Sequence, residues 1–223
     1  MKRSFFLFVL IIGIAINSCF AQSSGKVNAD STYTQTINAR AEKIVSVLQI
    51  ADPSKFTRVK NIIAAQYRNL NNIYTARDEQ IKAAKMQLND DKEGLKKSIA
   101  EIQQRADSQI AVLHPKFLSA LSKQLTSKQI DQVKDGMTYN VVHVTYDGYN
   151  QMILNLTEAQ KKQIMAWLIE AREHAMDAES SDKKHAWFGK YKGRINNYLS
   201  AAGYDLKKEG IEWEKRRNAA VKN

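Results

Sequence analysis

The residues of this chain that are best suited to chemistry lie within one short stretch. Glu170, Glu173, His174 and Asp177 stand at i, i+3, i+4 and i+7, a spacing that places all four along one narrow stripe of a helix. A carboxylate beside an imidazole favours the imidazolium and moves the histidine pKa within the working range of a general acid or base. The spacing therefore indicates acid–base catalysis, and the simpler alternative is a solvated polar face of the helix.

His185 is the second histidine of this region, and it follows His174 closely enough along the chain to join the same site. The candidate catalytic residues are therefore His174, His185, Glu170 and Glu173. Glu170, His174 and Asp177 also have a spacing that suits a metal ion, but no dedicated zinc motif such as His-Glu-x-x-His is present, and no metal is predicted. The sequence also lacks a glycine-rich phosphate loop and a dinucleotide-binding fingerprint, so no cofactor is predicted.

A basic and aromatic segment follows this stripe. In it Lys190, Lys192 and Arg194 alternate with Trp187 and Tyr191. Cations pair with a sugar carboxylate and aromatic rings offer a surface on which a sugar ring stacks, so the segment favours an acidic oligosaccharide as the ligand. The alternative is a basic helix face whose aromatic residues lie in the core. The predicted ligand-binding residues are His143, Tyr146, Tyr149, Asp177, Trp187, Lys190, Tyr191, Lys192 and Arg194.

Two long apolar stripes at three- and four-residue spacing predict an antiparallel helical hairpin over residues 53–124. Asp52 is a good N-cap and Pro53 suits the first helical position, so the first helix is expected to begin there. Residues 89–91, Asn-Asp-Asp, have the chemistry of a turn and of a second cap. Pro115 is expected to interrupt or kink the second helix, because proline removes a backbone hydrogen bond.

Two motifs of the form Leu-Thr-x-x-Gln predict further helix starts. Thr126 and Thr157 each cap an early amide, and Gln129 and Gln160 reach back to the cap, which is the pattern of a capping box. These motifs resemble the LTxxQ motif of the Spy and CpxP family of periplasmic helical stress proteins. That resemblance implies a non-enzymatic chaperone or envelope-stress role.

The stretch between the two motifs, residues 137–150, contains β-branched, aromatic and glycine residues without a helical period, and is predicted to be an ordered loop. No segment has the alternation or length needed for a sheet. The predicted fold class is therefore all-α: the long hairpin plus a C-terminal helical bundle, in a single domain over residues 37–223 that contains the site region 135–199.

Residues 1–21 have the charged, apolar and small-residue order of a secretory signal peptide. Cleavage is expected after Ala21, with lipidation at Cys19 as the alternative, and residues 22–36 are expected to be flexible. The apolar run, residues 5–16, is shorter than the roughly 20 residues that span a bilayer, so no transmembrane segment is predicted. The expected location is periplasmic or secreted.

Charge and cysteine content narrow the function further. The 223-residue chain has a formal net charge of +11, of which the signal peptide contributes two charges through Lys2 and Arg3. A basic exported protein favours acidic partners such as uronic-acid glycans, and its expected location outside the cytoplasm disfavours nucleic acid as a partner. Cys19 is the only cysteine and leaves with the signal peptide, which excludes a disulfide framework, a catalytic thiol and a cysteine-ligated zinc from the mature chain.

A longer resemblance extends from Ala41 to Arg217 and is densest after Val133. It is carried by Val133-Lys-Asp-Gly-Met-Thr-Tyr139, Tyr146 with Tyr149, Leu156-Thr-x-x-Gln160, Glu170-Ala-Arg-Glu-His-Ala-Met-Asp177 and Phe188-Gly-Lys-Tyr-Lys-Gly-Arg-Ile-Asn-Asn-Tyr198. These residues are similar to a secreted bacterial family of unknown function whose members are often encoded among polysaccharide-utilisation genes. The resemblance implies a periplasmic protein near glycan breakdown, and it carries over no residue roles.

The leading hypothesis from the sequence is a periplasmic all-α protein that binds acidic glycan fragments through residues 139–198. In its stronger form the hypothesis adds processing of the glycan by proton abstraction, with His174 or His185 as the base. The alternative is a helical chaperone of the Spy and CpxP type. A closed pocket around His174 favours the sugar, and an exposed apolar cradle along the hairpin favours the chaperone.

Overall fold

The computed structural model describes residues 20–221, and the side chains of residues 31–220. The predicted signal peptide falls almost entirely outside the described residues. Eight helices and no strand occur in the described part of the chain, which confirms the all-α prediction. The helices are α1 (Phe20–Ser46), α2 (Pro53–Gln87), α3 (Lys92–Ser122), α4 (Ser127–Met137), α5 (Val141–Met152), α6 (Glu158–Ala175), α7 (Ser181–Ala201) and α8 (Leu206–Val221).

The predicted hairpin is confirmed, and it is formed by α2 and α3. The Asp52 carboxylate accepts a hydrogen bond from the Ser54 amide at 2.8 Å, and Asp91 caps α3 in the same way through the Gly94 amide at 2.9 Å. The expected interruption at Pro115 is not observed, since α3 continues to Ser122. The residues that follow Pro115 pack in the core, and this packing offsets the free-energy cost of the hydrogen bond that proline removes.

Helix α1 begins well before residue 37, where the sequence predicts its start. The backbone of residues 22–36 is helical rather than irregular. Among the described side chains, the Tyr33 hydroxyl donates to the Tyr67 carbonyl at 3.0 Å and Ile37 is buried, so α1 packs along α2. This packing stabilises the end of the polar stretch that precedes Ile37.

The prediction of a loop over residues 137–150 is wrong, because most of this stretch is helix α5. Residues 138–140 form the turn between α4 and α5, and Tyr139 and Asn140 have positive φ, 59° and 58°. The apolar period that identifies α5 runs through Val142, Tyr149 and Ile153, which are 1%, 7% and 1% exposed. Burial of these side chains outweighs the low helix propensity of the β-branched residues around them.

Two hydrophobic cores organise the helices. The first joins α1, the proximal part of α2, the end of α3 and α4, and the second joins α5, α6 and α7. Met176, at the C-terminal end of α6, is fully buried in the first core although the rest of α6 belongs to the second. The end of α6 is therefore held against the hairpin. Every helix in the described residues is too short or too polar to cross a membrane.

Both predicted capping boxes are present. Each threonine hydroxyl, of Thr126 and of Thr157, accepts from the backbone amide of the glutamine three residues later. The side chain of that glutamine accepts in turn from the backbone amide of the threonine.

Thr126→Ala and Thr157→Ala are each expected to lower the free energy of unfolding by about 0.5–2 kcal/mol, because each leaves a helix amide without its acceptor. Urea unfolding measures the loss. Thr→Ser at the same positions keeps the hydroxyl and is the matched control. Unchanged midpoints for both alanine variants would contradict the capping role.

Candidate functional site

A cleft of about 670 Å³ lies between the hairpin and the α6–α7 pair. Helices α2 and α3 line one wall, and the end of α6, the following turn and the start of α7 line the other. The lining residues include charged groups of both signs, two histidines and one tryptophan. They are Tyr74, Arg77, Gln103, Asp107, Ile110, Ala111, His114, Glu173, His174, Asp177, Ala178, Glu179, Lys183 and Trp187.

His114 and Asp177 form the central contact of this cleft. The imidazole Nδ1 lies 2.5 Å from Asp177 Oδ2. Asp177 is 7% exposed, its Oδ1 accepts a hydrogen bond from the Gln66 amide at 3.2 Å, and its backbone carbonyl accepts from the Tyr74 hydroxyl at 2.8 Å. Because a carboxylate oxygen can only accept, Nδ1 is the donor in this contact, and Asp177 fixes the orientation of the imidazole ring.

The hydrogen bond to Asp177 raises the pKa of His114 above its usual 6.5, against the opposing effect of burial. The negative charges of Asp177 and Glu173 add to the increase, and Lys134 reduces it. The other ring nitrogen, Nε2, lies 3.7 Å from Glu173 Oε2. That distance exceeds a hydrogen bond, so Nε2 and Glu173 are neighbours without a direct bond.

Arg172 anchors Glu173 to a buried network. Its guanidinium contacts Asp135 and Asp131 at 2.7 Å each and Glu173 at 3.4 Å, and the arginine is only 5% exposed. Lys134 adds a second cation to Glu173 at 2.8 Å. These contacts fix the carboxylate of Glu173 at the wall of the cleft and join α4 to α6.

Lys184 ties α7 to the same region. It is 6% exposed, and its ammonium donates to the backbone carbonyls of Met137 at 3.2 Å and Met176 at 3.0 Å. Burial lowers the pKa of Lys184 to about 8, and the charge of Asp177 partly offsets this decrease. The amine therefore connects the C-terminal ends of α4 and α6 to the first turn of α7.

Aromatic and cationic side chains line the cleft or lie against its lining. The rings of His174 and Trp187 are stacked, with centroids 4.5 Å apart and planes 15° apart. The Lys190 ammonium lies 5.1 Å from the centre of the Trp187 ring. On the hairpin side, Arg77 lies over the Tyr74 ring at 4.8 Å. An aromatic surface and positive charge thus lie beside the hydrogen-bonding groups of the cleft.

Four of the ten site residues predicted on α6, α7 and the turn between them line the cleft. They are Glu173, His174, Asp177 and Trp187. A continuation of the same α6–α7 surface contains the remaining charged pair, Glu170 and Arg194, 3.6 Å apart. Lys190 lies at the junction over Trp187, and Tyr191, although buried, faces the His174 ring at 6.3 Å.

Other predicted residues lie elsewhere. His185 stacks on Tyr139 at 5.6 Å and does not line the cleft, and Lys192 is exposed on α7. His143 pairs with Asp135 at 3.0 Å. Tyr149 and Tyr146 pack in or against the second core, and the Tyr149 hydroxyl donates to the Asn196 side chain at 2.6 Å. Residues predicted for the site from α5 therefore support the network and the core instead of lining the cleft.

Four residues of the site were not predicted from the sequence: His114, Gln66, Arg172 and Lys184. A usable signal was present, because each interrupts an otherwise apolar stripe. Arg172 stands four residues after buried Leu168, and Lys184 stands four residues before buried Phe188. A charged side chain at a core-facing position needs buried partners, which marks it as part of a network.

The fold and the cleft define an all-α protein with a histidine–carboxylate pair at the junction of two helical cores. Residues 34–219 match the family described as protein of unknown function (DUF3826), and the chain therefore belongs to that family. Comparison with curated proteins gave no match. Among the described residues, no group of three or more histidine, aspartate or glutamate side chains is placed to hold a metal ion.

Proposed function

We propose that this protein is exported and binds an acidic oligosaccharide in the cleft between the hairpin and the α6–α7 pair. The observation that carries the proposal is the stacked His174–Trp187 pair, with Lys190 against it, in the lining of a cleft that contains the His114–Asp177 pair. A sugar ring needs an aromatic surface together with many hydrogen-bonding groups, and this cleft offers both.

The size and lining of the cleft support a ligand of oligosaccharide type. A volume of about 670 Å³ lies within the roughly 300–1,000 Å³ of typical small-molecule sites. Tyr74, Gln103 and Asp107 add hydrogen-bonding groups from the hairpin wall. Because donors and acceptors come from both walls, a ligand with hydroxyl groups on both faces is favoured.

The distribution of charge supports an acidic ligand. Three of the four carboxylates of the lining have cationic partners: Asp177 has His114, Glu173 has Lys134 and Arg172, and Glu179 has Arg77. The fourth, Asp107, accepts a hydrogen bond from the Gln103 side chain. Lys183 also lines the cleft and is exposed, and it forms no ion pair with any described residue. Together with the net charge of +11 of the full chain, the unpaired ammonium of Lys183 favours a carboxylate on the ligand.

The signal-peptide pattern supports a periplasmic or secreted location. The family resemblance noted in the sequence adds a setting of polysaccharide utilisation. An acidic oligosaccharide released by glycan breakdown in that compartment is a ligand with the chemistry that the cleft favours.

The chaperone alternative has less support in the structure. Large exposed apolar side chains in the described residues are spread over separate helices and turns instead of forming a cradle along the hairpin. They are Val47, Met86, Val112, Tyr139, Val144, Leu154, Ile169 and Ile211. This distribution gives a client protein no extended apolar surface on which to bind.

Trp187→Ala is expected to weaken binding of acidic oligosaccharides at least about tenfold, roughly 1.4 kcal/mol, because it removes the stacking surface. Isothermal calorimetry with a panel of acidic and neutral oligosaccharides measures the change, and wild-type affinity for the acidic members should fall as salt is added. Trp213→Ala is the matched control, because Trp213 also has an arginine over its ring, Arg217 at 5.2 Å, but lies on α8 outside the cleft.

Wild-type protein that binds none of the acidic sugars would remove the proposed function. Equal weakening by the Trp187 and Trp213 variants would place the ligand outside the cleft. Circular dichroism of each variant confirms that the helices are intact before binding is compared.

A further inference from the structure

We infer that His114 is the catalytic base of the cleft, that Asp177 positions it, and that the reaction is β-elimination of a glycosidic bond beside a uronate carboxylate. The inference rests on the proposed function, because the bound acidic oligosaccharide is the substrate. It assigns the base to a residue of the hairpin, 60 residues before His174, one of the two histidines that the sequence indicates as the base.

The geometry around His114 is that of an oriented base. Asp177 holds Nδ1 at 2.5 Å and is itself held by Gln66, so the ring cannot turn without breaking its contact with a fixed carboxylate. In the described residues Nε2 has no hydrogen-bond partner, since its nearest carboxylate, Glu173, is 3.7 Å away. A base fixed through one nitrogen with the other free is the arrangement that proton transfer requires.

The other two candidate histidines lack this arrangement. His174 lies flat against Trp187 and is exposed, and no described carboxylate hydrogen-bonds to its ring. His185 stacks on Tyr139 away from the cleft. Only His114 combines access to the cleft with a carboxylate that fixes its tautomer.

The proposed step balances without any further reactant. Nε2 of His114 takes the proton from carbon 5 of the uronate, and the electron pair of that bond forms a double bond between carbons 5 and 4. The bond between carbon 4 and the glycosidic oxygen breaks, and the leaving oxygen receives the proton back from His114. The products are two shorter sugars, one of which carries the new double bond.

Two neighbouring groups stabilise the charges that develop. Proton removal places negative charge on the uronate carboxylate, and Lys183 supplies an exposed ammonium in the same cleft. Glu173, beside Nε2, favours the imidazolium that exists between proton removal and proton return. Lys134 and Arg172 fix Glu173 in that position.

His114→Gln is expected to lower the rate of unsaturated-product formation by about 10²-fold or more, since proton transfer by a positioned side chain contributes about 10²–10⁴-fold. The assay follows the ultraviolet absorbance of the double bond conjugated to the carboxylate, with uronate-containing oligosaccharides and the full chain. Added imidazole should restore part of the activity of His114→Ala, a result that a purely structural role for His114 does not produce.

Asp177→Asn tests the positioning role. The groups that face His114 are Asp177, Glu173, Lys134 and Tyr74, and the two carboxylates raise its pKa above the usual 6.5. Because the base must be neutral to accept a proton, the wild-type rate should rise as pH passes through this raised pKa. Removing the Asp177 charge should move this limb of the pH profile to lower pH and reduce the maximal rate.

The outcomes separate this inference from the proposed function. Calorimetric binding by the wild type with no unsaturated product from any bound uronate would overturn the inference and leave the binding function intact. Product formation that survives His114→Gln, or a pH limb unmoved in Asp177→Asn, would overturn the assigned roles. Absence of binding would remove both proposals.

Discussion

Replacing Arg172 with methionine is expected to lower the free energy of unfolding by about 3–5 kcal/mol, the usual cost of removing one partner of a buried ion pair. Arg172 is 5% exposed, and its loss leaves the buried Asp135 carboxylate with only His143. The desolvated charge that remains, and not the lost attraction alone, accounts for the size of the effect. Urea unfolding followed by circular dichroism measures it.

A double-mutant cycle supplies the control. Asp135→Asn removes the stranded charge, so the double variant with Arg172→Met should be more stable than Arg172→Met alone. The wild-type network is itself imperfect, because the buried Arg172 Nε has no hydrogen-bond partner among the described residues. Additive losses in the double variant would show that the two side chains do not interact, contrary to their 2.7 Å contact.

The second large effect concerns Lys184 and pH. Its folded pKa of about 8 lies below the usual 10.5, so below pH 8 the amine is protonated in both states and the folded state bears the full cost of burial, roughly 3 kcal/mol. Between pH 8 and 10.5 the unfolded chain binds more protons, so the contribution of Lys184 to stability rises with pH. We expect the unfolding free energy to increase from pH 8 to pH 10.

Other groups bound this window. His114 has a raised pKa, so its stabilising contribution is complete below pH 6.5 and is lost as pH rises through its folded value. Burial raises the pKa of Tyr67 and Tyr74 to about 12, so stability declines above pH 10 as the unfolded tyrosines ionise.

Lys184→Met is the control, and it should flatten the dependence of the unfolding free energy on pH between pH 8 and 10. A rise that persists in this variant would assign the effect to another group.

Local chemistry made much of the fold predictable. The caps at Asp52, Thr126 and Thr157 and the long apolar stripes of the hairpin depend on residues within one or two helical turns of each other. Helix α5 was missed because its sequence favours strand or loop locally. Its helical period becomes decisive only when Val142 and Tyr149 are buried against α6 and α7.

The candidate site was predictable only in part, for the same physical reason. The α6 stripe and the α7 aromatics are close in sequence, and the cleft includes Glu173, His174, Asp177 and Trp187 from them. The partner of Asp177, His114, lies 63 residues earlier. Spacing along one helix does not indicate which residue of a distant helix will face it, so the central contact requires the tertiary arrangement.

The four histidines provide the most direct test of the claim that an acidic oligosaccharide occupies this cleft. Nuclear magnetic resonance of the imidazole nitrogens, in the presence of increasing amounts of the acidic sugar bound in calorimetry, reports on each ring separately. His114 and His174 line the cleft, and His143 and His185 lie outside it. The account predicts that the signals of His114 and His174 shift with saturation while those of His143 and His185 stay in place. Shifts confined to His143 or His185, or no shift at saturating sugar, would contradict it.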